Sequence, residues 1–506
     1  MTAVRNAAAQ RLLQQSAMKV VLISTYELGH QPFGLASPAA WLRRGGAEVT
    51  CLDLSRQPLV EDAVRAADVV AFYVPMHTAT RLAIRLIEPV RRLNPHAHLC
   101  FYGLYAPVNE AYLRELGVQT IVGGEFEAVL TDLVTRLAHR EGNGNGSRAS
   151  APATVLRNPS IALERLPFIP PDRSQLPPLR EYAHLLLPEG GFKVAGYTEA
   201  SRGCKHLCRH CPIVPVYNGV FRIVQRDIVL EDIRQQVDAG AEHITFGDPD
   251  FFNGPAHALA IVGSMHREFP QLTYDTTIKI EHLLQHAESL PRLLDTGCLF
   301  VTSAVESVDD AILARLAKGH TRADFLEVVG LFRELGLILQ PTFVPFTPWT
   351  SHSGYRELLK LIADQDLIEN VAPIQLGIRL LIPAGSRLLE LDEVRNTIGN
   401  FEASGLVYPW KHADARMDIL SERIQELANA GDRLKRSRVD TFTLIWRAAA
   451  ELAGENVGLD PAMPKTSMCK IPHFTEPWYC CAEPTQDQFV SIASDTRPQT
   501  ESDTFF

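Results

Sequence analysis

Cysteine is the residue type whose spacing in this chain best suits chemistry. Nine cysteines occur among 506 residues, and the string CKHLCRHC places Cys204, Cys208 and Cys211 in Cys-x3-Cys-x2-Cys spacing. Three thiolates on one short loop can bind three irons of a [4Fe–4S] cluster and leave the fourth iron without a protein ligand. A small molecule with an amine and a carboxylate can chelate that open iron, and an electron from the reduced cluster can then break one of its bonds.

Two other uses of these thiols compete with the cluster. A disulfide framework is not favoured, because the number of cysteines is odd and the chain is too long to need covalent staples. A zinc ion usually takes four ligands, and His206 or His210 could complete a Cys3His set. A zinc site therefore stays open as the alternative at this loop.

A second group of thiols lies near the end of the chain. Cys469 occurs in SMCKIPHF, and Cys480 and Cys481 are adjacent in WYCCAEPTQ. Three soft thiolates suit a thiophilic centre such as trivalent arsenic, which takes three pyramidal sulfur ligands. Buried apolar cysteines, a disordered tail, a fourth cluster ligand or a second cluster are the alternatives. The remaining thiols, predicted to be small core residues of strands, are Cys51, Cys100 and Cys298.

The elements before the first cysteine loop alternate between strand and helix. MKVVLIS, from Met18, begins a series of short apolar runs and amphipathic segments that ends near His139. This alternation predicts a Rossmann-like parallel sheet with helices on both faces over residues 1–139. Residues 140–153 are rich in Gly, Asn and Ser, which predicts a flexible linker.

A second alternating series follows the linker. Six strand-helix repeats are predicted between residues 193 and 380, so residues 154–395 are expected to form an incomplete (β/α) barrel. In such barrels, ligands bind at the carboxyl ends of the strands. The cysteine loop comes directly after the first of these strands, at that end. Residues 396–506 are predicted to be a mainly helical region followed by the cysteine tail.

The cysteine loop, with His210 in the ring-bearing position before the last cysteine, resembles that of the radical S-adenosylmethionine (SAM) enzymes. The resemblance covers about residues 190–390. It implies a partial (β/α)6 barrel in which Cys204, Cys208 and Cys211 bind the cluster. It also implies that SAM binds at the open iron, with His210 among its contacts.

Further segments resemble the SAM-binding parts of that family. FGDPDFFN is similar to the segment that meets the methionine amino group, here Gly247, Asp248 and Asp250. SAVESVDDAILARLAKGHT resembles the strand that carries a Glu, here Glu306, and GIRLLIPAGSRLL resembles the last strand. Arg379 in that last segment could pair with the SAM carboxylate. The simpler alternatives are that the acids begin helices and that the arginine is a solvated rim residue.

The front domain resembles the cobalamin-binding domain of one branch of radical SAM enzymes, with VGGEFEAVL as its closing turn. Such domains commonly use an Asp-x-His-x-x-Gly loop, and no histidine of this chain has an aspartate two residues before it. We therefore expect that cobalamin is unlikely and that the domain shapes the substrate pocket instead.

The CCAEP string resembles the tail that names a family of radical SAM proteins, and the whole chain is most similar to its arsinothricin-biosynthesis members. The resemblance implies transfer of the 3-amino-3-carboxypropyl group of SAM to arsenite, forming hydroxyarsinothricin. It also implies a reductant such as flavodoxin or ferredoxin, and arsenite binding by Cys469, Cys480 and Cys481. A cobalamin-dependent methyltransferase, another radical modification of an organic or peptide substrate, and a non-enzymatic metalloid sensor are the alternatives.

Charge and hydropathy limit the partners. The 49 basic and 59 acidic residues give a net charge of −10 without a block of Lys or Arg, so a nucleic-acid partner is not expected. The first residues lack the pattern of a signal peptide, and no apolar stretch reaches the ~18–20 residues of a membrane span. The chain is predicted to be cytoplasmic.

Overall fold

The computed structural model describes residues 17–142, 161–452 and 471–476. Within it the chain forms two compact units. The front unit holds the residues up to Glu27 and Pro32–Pro177, and the second unit holds Leu28–Gln31 and Pro178–Pro484. Most of the predicted linker and all three tail cysteines lie outside the described residues.

The front unit is a parallel sheet with the strand order β2-β1-β3-β4-β5-β6. Its strands are β1 (Lys19–Ser24), β2 (Glu48–Asp53), β3 (Val69–Tyr73), β4 (His98–Tyr102), β5 (Thr120–Gly124) and β6 (Ile161–Ala162). Its helices are α1 (Phe33–Arg44), α2 (Glu61–Ala66), α3 (His77–Leu93), α4 (Tyr105–Val108), α5 (Glu110–Glu115) and α6 (Phe126–Gly142).

The strands of this sheet are apolar on both sides because helices cover both faces. Val20 and Leu22 of β1 belong to one buried cluster, whereas Val21 and Ile23 belong to another. Alternate residues of a strand point to opposite faces, so the continuous apolar run fills two cores. The predicted parallel sheet is confirmed.

The second unit has a seven-stranded sheet with the order β14-β13-β12-β11-β8-β7-β15 and a two-stranded antiparallel sheet of β9 and β10. Its strands are β7 (His184–Leu186), β8 (Phe192–Thr198), β9 (Ser201–Gly203), β10 (Phe221–Ile223), β11 (His243–Phe246), β12 (Thr273–Thr277), β13 (Cys298–Glu306), β14 (Leu339–Phe343) and β15 (His473–Phe474). Five neighbouring strands, β8 and β11 to β14, are parallel, and β7 and β15 add antiparallel pairs at one edge.

Helices connect the parallel strands and continue beyond them. They are α7 (Val214–Tyr217), α8 (Arg226–Asp238), α9 (Pro255–Glu268), α10 (Ile280–Gln285), α11 (Leu290–Asp295), α12 (Asp310–Leu316), α13 (Arg322–Leu335), α14 (His352–Asp364), α15 (Asp392–Arg395), α16 (Ala415–Arg433) and α17 (Arg438–Leu452). Local sequence sets their ends, as at α13, where Thr321 and Asp324 form a capping box. No helix in these ranges is long and apolar enough to cross a membrane.

The predicted sixth barrel strand, at 373–380, is wrong. Pro373–Leu376 forms a 3-10 turn, and only an isolated bridge between Phe346 and Arg379 continues the sheet. Proline has no N–H for a strand ladder, and α16 approaches closely at Gly377, whose carbonyl accepts from Gln425 Nε2 at 2.9 Å. The parallel part of the barrel therefore has five full strands.

A short segment that follows β1 belongs to the second unit. Within that unit, Ala183 N donates to Gly29 O at 2.9 Å. The ring of His30 lies 5.0 Å from that of Tyr197 and 5.4 Å from that of Phe474, centroid to centroid. Burial lowers the pKa of His30 to about 4, although Asp275 opposes this. This imidazole is therefore neutral at pH 7.

Candidate functional site

The cysteine loop begins directly after β9, at the carboxyl end of β8. Gly203, the residue before Cys204, has φ +76°, and a Cβ there would lie 2.5 Å from Val220 O and 2.4 Å from Tyr217 Cδ1. Glycine is therefore required at the entry to the loop. Cys208 is buried, whereas Cys204 and Cys211 are partly exposed.

The middle of the loop is attached to the end of α12. Arg209 N donates to Leu316 O at 2.9 Å, and its guanidinium donates to Arg315 O at 2.9 Å. Both acceptors are carbonyls of the last helical turn, which lack partners within the helix. These bonds fix the cysteine loop against the segment that carries Lys318.

The three thiols fit a [4Fe–4S] cluster better than a single zinc ion. Within the described ranges, one group of possible metal-ligand atoms lies within 4.8 Å of one another, and it belongs to Cys204, His206 and Asp250. The three cysteine sulfur atoms do not form such a group. One ion needs its ligands that close together, whereas a cubane cluster is larger. Burial raises the pKa of Cys204 to about 11, so cluster binding as a thiolate would release a proton.

A buried group of charges lies beside this loop. Glu306 Oε1 accepts from His210 Nε2 at 3.1 Å and from Lys318 Nζ at 3.3 Å. The side chains of His210, Glu306 and Lys318 are 3%, 7% and 4% exposed, so the ion pair is shielded from water. Burial opposes ionisation of Glu306, but Lys318 and His210 outweigh it and lower its pKa to about 2. The predicted residues His210 and Glu306 are thus in direct contact.

Glu306 does not begin a helix, which was the simpler alternative. It is the last residue of β13, where the register with β14 shifts, and its φ of +68° lies in the left-handed region. Asp309 caps α12 instead, accepting from the Ala311 and Ile312 amides. A glutamate in this backbone conformation is strained, and such strain persists where surrounding contacts fix the residue.

Asp250 joins two histidines at the end of β11. Its carboxylate lies 2.6 Å from His282 Nδ1 and 3.6 Å from His206 Nε2, and it accepts from Phe252 N as the cap of a 3-10 turn. Burial raises the pKa of Asp250, but the two imidazoles outweigh burial and lower it to about 2. Asp250 therefore caps a helical turn, and it also lies next to the cysteine loop.

Asp248 and Gly247 have structural contacts. Asp248 accepts from Ala200 N at 2.9 Å and from Ser201 Oγ at 2.6 Å, and burial raises its pKa to about 7 against these hydrogen bonds. A Cβ at Gly247 would lie 1.9 Å from Tyr197 Oη. Both residues fix the backbone that leads into the cysteine loop.

Arg379 is engaged elsewhere. Its guanidinium donates to Asp418 Oδ1 at 2.7 Å and to Trp410 O at 2.5 Å, and it stacks on the Trp410 ring at 3.6 Å. In the described part of the chain, none of its hydrogen bonds goes to the cysteine loop, Asp250 or Glu306. The structure brings His210 and Glu306 together but does not bring Arg379 to them.

Lys318 and His282 were not among the predicted site residues. The string LAKGHT, which contains Lys318, was the available signal for the lysine. For His282 the sequence gives no signal, because its partner Asp250 lies 32 positions earlier. His243 is buried; its Nε2 donates to Asp275 Oδ1, and its Nδ1 is hydrogen-bonded to Thr273 Oγ1, both at 2.9 Å.

Residues 198–348 match the family model described as "Radical SAM superfamily". This match and the cysteine loop define residues 198–348 as a radical SAM domain. The CCAEP-tail family and its arsinothricin members are not shown by this match. The tail cysteines lie outside the described residues, so the arsenite-binding prediction stays a prediction.

Curated relatives match only part of the chain. A putative methylthiotransferase of Methanocaldococcus jannaschii is 23% identical over 324 residues, which cover 60% of this chain and 66% of that protein. The tRNA-2-methylthio-N(6)-dimethylallyladenosine synthase of Desulfosudis oleivorans is 26% identical over 192 residues, or 36% of this chain. The matched region spans about two fifths (41%) of the length of that synthase.

Solved structures match the fold over both units. The cobalamin-dependent SAM radical enzyme OxsB, with aqua-cobalamin and SAM bound, gives a TM-score of 0.64 at 15% identity over 83% of this chain and 68% of OxsB. The radical SAM methyltransferase TsrM of Kitasatospora setae, with cobalamin and a [4Fe-4S] cluster bound, gives 0.53 at 18% identity over 69% of this chain and 73% of TsrM. At these identities the likeness concerns the fold, and it confirms the predicted α/β class.

The expectation that cobalamin is unlikely is wrong. It rested on the missing Asp-x-His-x-x-Gly loop, yet the fold is that of enzymes solved with cobalamin bound. The absence of that loop motif therefore does not argue against the cofactor.

The front unit has residues that fit a bound ligand. Its strand order reverses between β1 and β3, and open α/β sheets bind ligands at the carboxyl ends of the strands at such a switch point. Ser24 ends β1 there, and its hydroxyl is buried without a hydrogen-bond partner among the described residues. A buried orphan hydroxyl at this position fits a polar group of a ligand.

Proposed function

We propose that this enzyme binds a [4Fe–4S] cluster through Cys204, Cys208 and Cys211 and uses it to transfer a carbon group from SAM. The observation that carries the proposal is the cysteine loop, which follows Gly203 at the carboxyl end of β8 in a radical SAM domain. When bound, the cluster supplies one electron to the sulfonium of SAM. His210, Asp250 and Glu306 are the residues to which we assign contacts with SAM.

The chain's own residues would act by orientation. The sulfonium of SAM has three C–S bonds, and rigid positioning of SAM by these residues would select which of the three is cleaved. The Arg209 contacts to α12 and the Asp248 contacts to Ala200 and Ser201 would hold the loop for this purpose.

Methyl transfer to an organic or peptide acceptor is the form of the reaction that the fold favours most. It is supported by the Rossmann-like front unit, whose switch point and Ser24 would hold cobalamin without a histidine ligand. When bound, cobalamin supplies a carrier for the methyl group.

Transfer of the 3-amino-3-carboxypropyl group to arsenite is the second candidate. The specific observation in its favour is the sequence of the tail, which contains three soft thiols: Cys469, and the adjacent Cys480 and Cys481 of the CCAEP string. In this form the bond to the methionine Cγ breaks, the new bond is C–As, and methylthioadenosine leaves.

The nucleoside released from SAM tests both forms. The protein is loaded anaerobically with iron, sulfide and cobalamin, then mixed with SAM and a reductant, with and without arsenite, and the products are identified by mass. 5′-Deoxyadenosine with S-adenosylhomocysteine supports methyl transfer, whereas methylthioadenosine with an arsenic-containing amino acid supports the second form. In the Cys208→Ser control, SAM should stay intact. Intact SAM in the wild-type protein would contradict both forms of the reaction.

A further inference from the structure

A buried cation lies beside the cysteine loop, and no step of the proposed function uses it. Lys318 follows α12, its side chain is 4% exposed, and its ammonium pairs with Glu306 at 3.3 Å. A buried ammonium is costly unless it is paired. The chain maintains this cation next to the segment to which Arg209 attaches the cysteine loop.

Lys318 remains charged because a buried carboxylate is paired with it. Burial opposes its charge, but Glu306, with smaller contributions from Cys208 and Cys211, outweighs burial and raises the pKa of Lys318. An ammonium has three N–H donors, and Glu306 takes one of them. Two of the three predicted cluster ligands therefore lie within the electrostatic reach of this lysine.

We propose that Lys318 is a positioning residue that raises the reduction potential of the cluster and so eases electron delivery to SAM. The inference rests on the proposed binding of the cluster by the three cysteines. Reduction adds a negative charge to the cluster, and a fixed cation in a poorly solvated site stabilises the reduced state more than the oxidised state. The ammonium thus favours the form of the cluster that donates the electron.

Glu306 limits the effect of the Lys318 charge on the reduction potential of the cluster. Its carboxylate neutralises part of the charge of Lys318, and the left-handed backbone at φ +68° keeps it there. Removal of the lysine charge should lower the potential, whereas removal of the glutamate charge should raise it. A purely structural role for the pair would not produce shifts of opposite sign.

The test is a potential titration of the loaded protein without SAM. Wild type, Lys318→Met, Lys318→Arg and Glu306→Gln are reconstituted, matched for iron and sulfide per chain, and titrated by spectroelectrochemistry. At the wild-type midpoint, the reduced-to-oxidised ratio should fall about tenfold in Lys318→Met, or about 59 mV for one electron. It should stay within about twofold in Lys318→Arg and rise in Glu306→Gln.

An unchanged ratio in a fully loaded Lys318→Met protein would overturn the inference. If Lys318→Met does not hold a cluster, the Glu306→Gln variant provides the test. A reduced-to-oxidised ratio in Glu306→Gln that is equal to or lower than that of the wild type would also overturn the inference. A wild-type chain that takes up no cluster at all would instead overturn the proposed function on which this role rests.

Discussion

Asp248 and Asp250 belong to one short segment, but their pKa values are shifted in opposite directions because their surroundings differ. Asp248 is buried among a backbone amide and a hydroxyl, and burial raises its pKa to about 7. Asp250 is equally buried, but His206 and His282 outweigh the burial and lower its pKa to about 2. Asp248 is suited to fixing the backbone at Ala200 through a hydrogen bond. Asp250 is suited to carrying a fixed negative charge.

Stability should therefore depend on pH through Asp248. The pKa of its folded form lies above the usual unfolded value, so the folded state retains a proton that the unfolded state releases, and stability falls as pH rises from about 4 to 7. In Asp248→Asn the amide oxygen can still accept from Ala200 N, and the NH2 group can donate to Ser201 Oγ, while the side chain carries no charge. We expect this variant to be more stable than wild type by about 1–3 kcal/mol at pH 8 and about equal at pH 5, measured by urea unfolding of the metal-free protein.

The matched control for this substitution is Asp295→Asn, at an exposed residue at the end of α11. It should show no comparable gain between the two pH values. A difference between Asp248→Asn and wild type that is the same at pH 5 and pH 8 would rule out the burial explanation.

The three loop cysteines should be distinguishable from the buried structural ones. Cys208→Ser should abolish cluster uptake, measured as iron and sulfide per chain, because it removes one of three ligands. Cys298→Ser, at a buried thiol that donates to Phe300 O at 3.4 Å, should leave uptake unchanged. Full uptake by Cys208→Ser would remove this residue from the ligand set.

Spacing along the chain was enough to predict the loop, but not its surroundings. Cys-x3-Cys-x2-Cys is local, so three ligands could be found from sequence alone. The contact between His210 and Glu306 joins residues 96 positions apart, and no local pattern encodes such a distance. The string LAKGHT pointed to Lys318, but only the folded sheet shows that Lys318 and His282 lie beside the loop.

At the scale of elements, one backbone position controls how the loop leaves the sheet. Gly203→Ala would place a Cβ against Val220 O and force φ +76° on an alanine. We expect a loss of about 1–3 kcal/mol in unfolding free energy and a lower cluster content, measured by thermal unfolding and iron analysis. Gly330→Ala, in α13 with open space around it, should be neutral or stabilising by about 0.5–1 kcal/mol. Equal stability of the two variants would contradict the steric account.

Most elements followed from periodicity, and the exception has a physical cause. Strands such as Val69–Tyr73 and helices such as α13 carry their signals in their own residues. The apolar residues near 373–380 suit a strand equally well, but Pro373 and the approach of α16 leave only a bridge. Hydrophobic pattern alone does not reveal which neighbour a segment packs against.

At the scale of the whole molecule, the fold resembles that of solved enzymes in whose structures cobalamin is bound. Sequence reasoning dismissed it because one loop motif is missing. A motif records a single axial contact, whereas the strand order that creates the switch point can be seen only in the assembled sheet.

Cobalamin bound to this protein should lack a histidine ligand. We expect the electron paramagnetic resonance spectrum of the protein loaded with cob(II)alamin to show no splitting from an axial histidine nitrogen. Ser24→Ala should weaken binding about fivefold, as for one lost hydrogen bond, measured by equilibrium titration. A clear nitrogen splitting, or unchanged affinity in Ser24→Ala, would contradict this placement.

The segment Leu28–Gln31 limits how this protein can be dissected or recombined. Although it follows the first strand of the front sheet, it completes the second unit, where His30 packs on Tyr197 and Phe474. A fragment that begins after the linker would lack these four residues and leave the aromatic rings beneath them bare. Exchange of front units between related enzymes would therefore have to keep residues 28–31 with the second unit, although they lie within the sequence of the front unit.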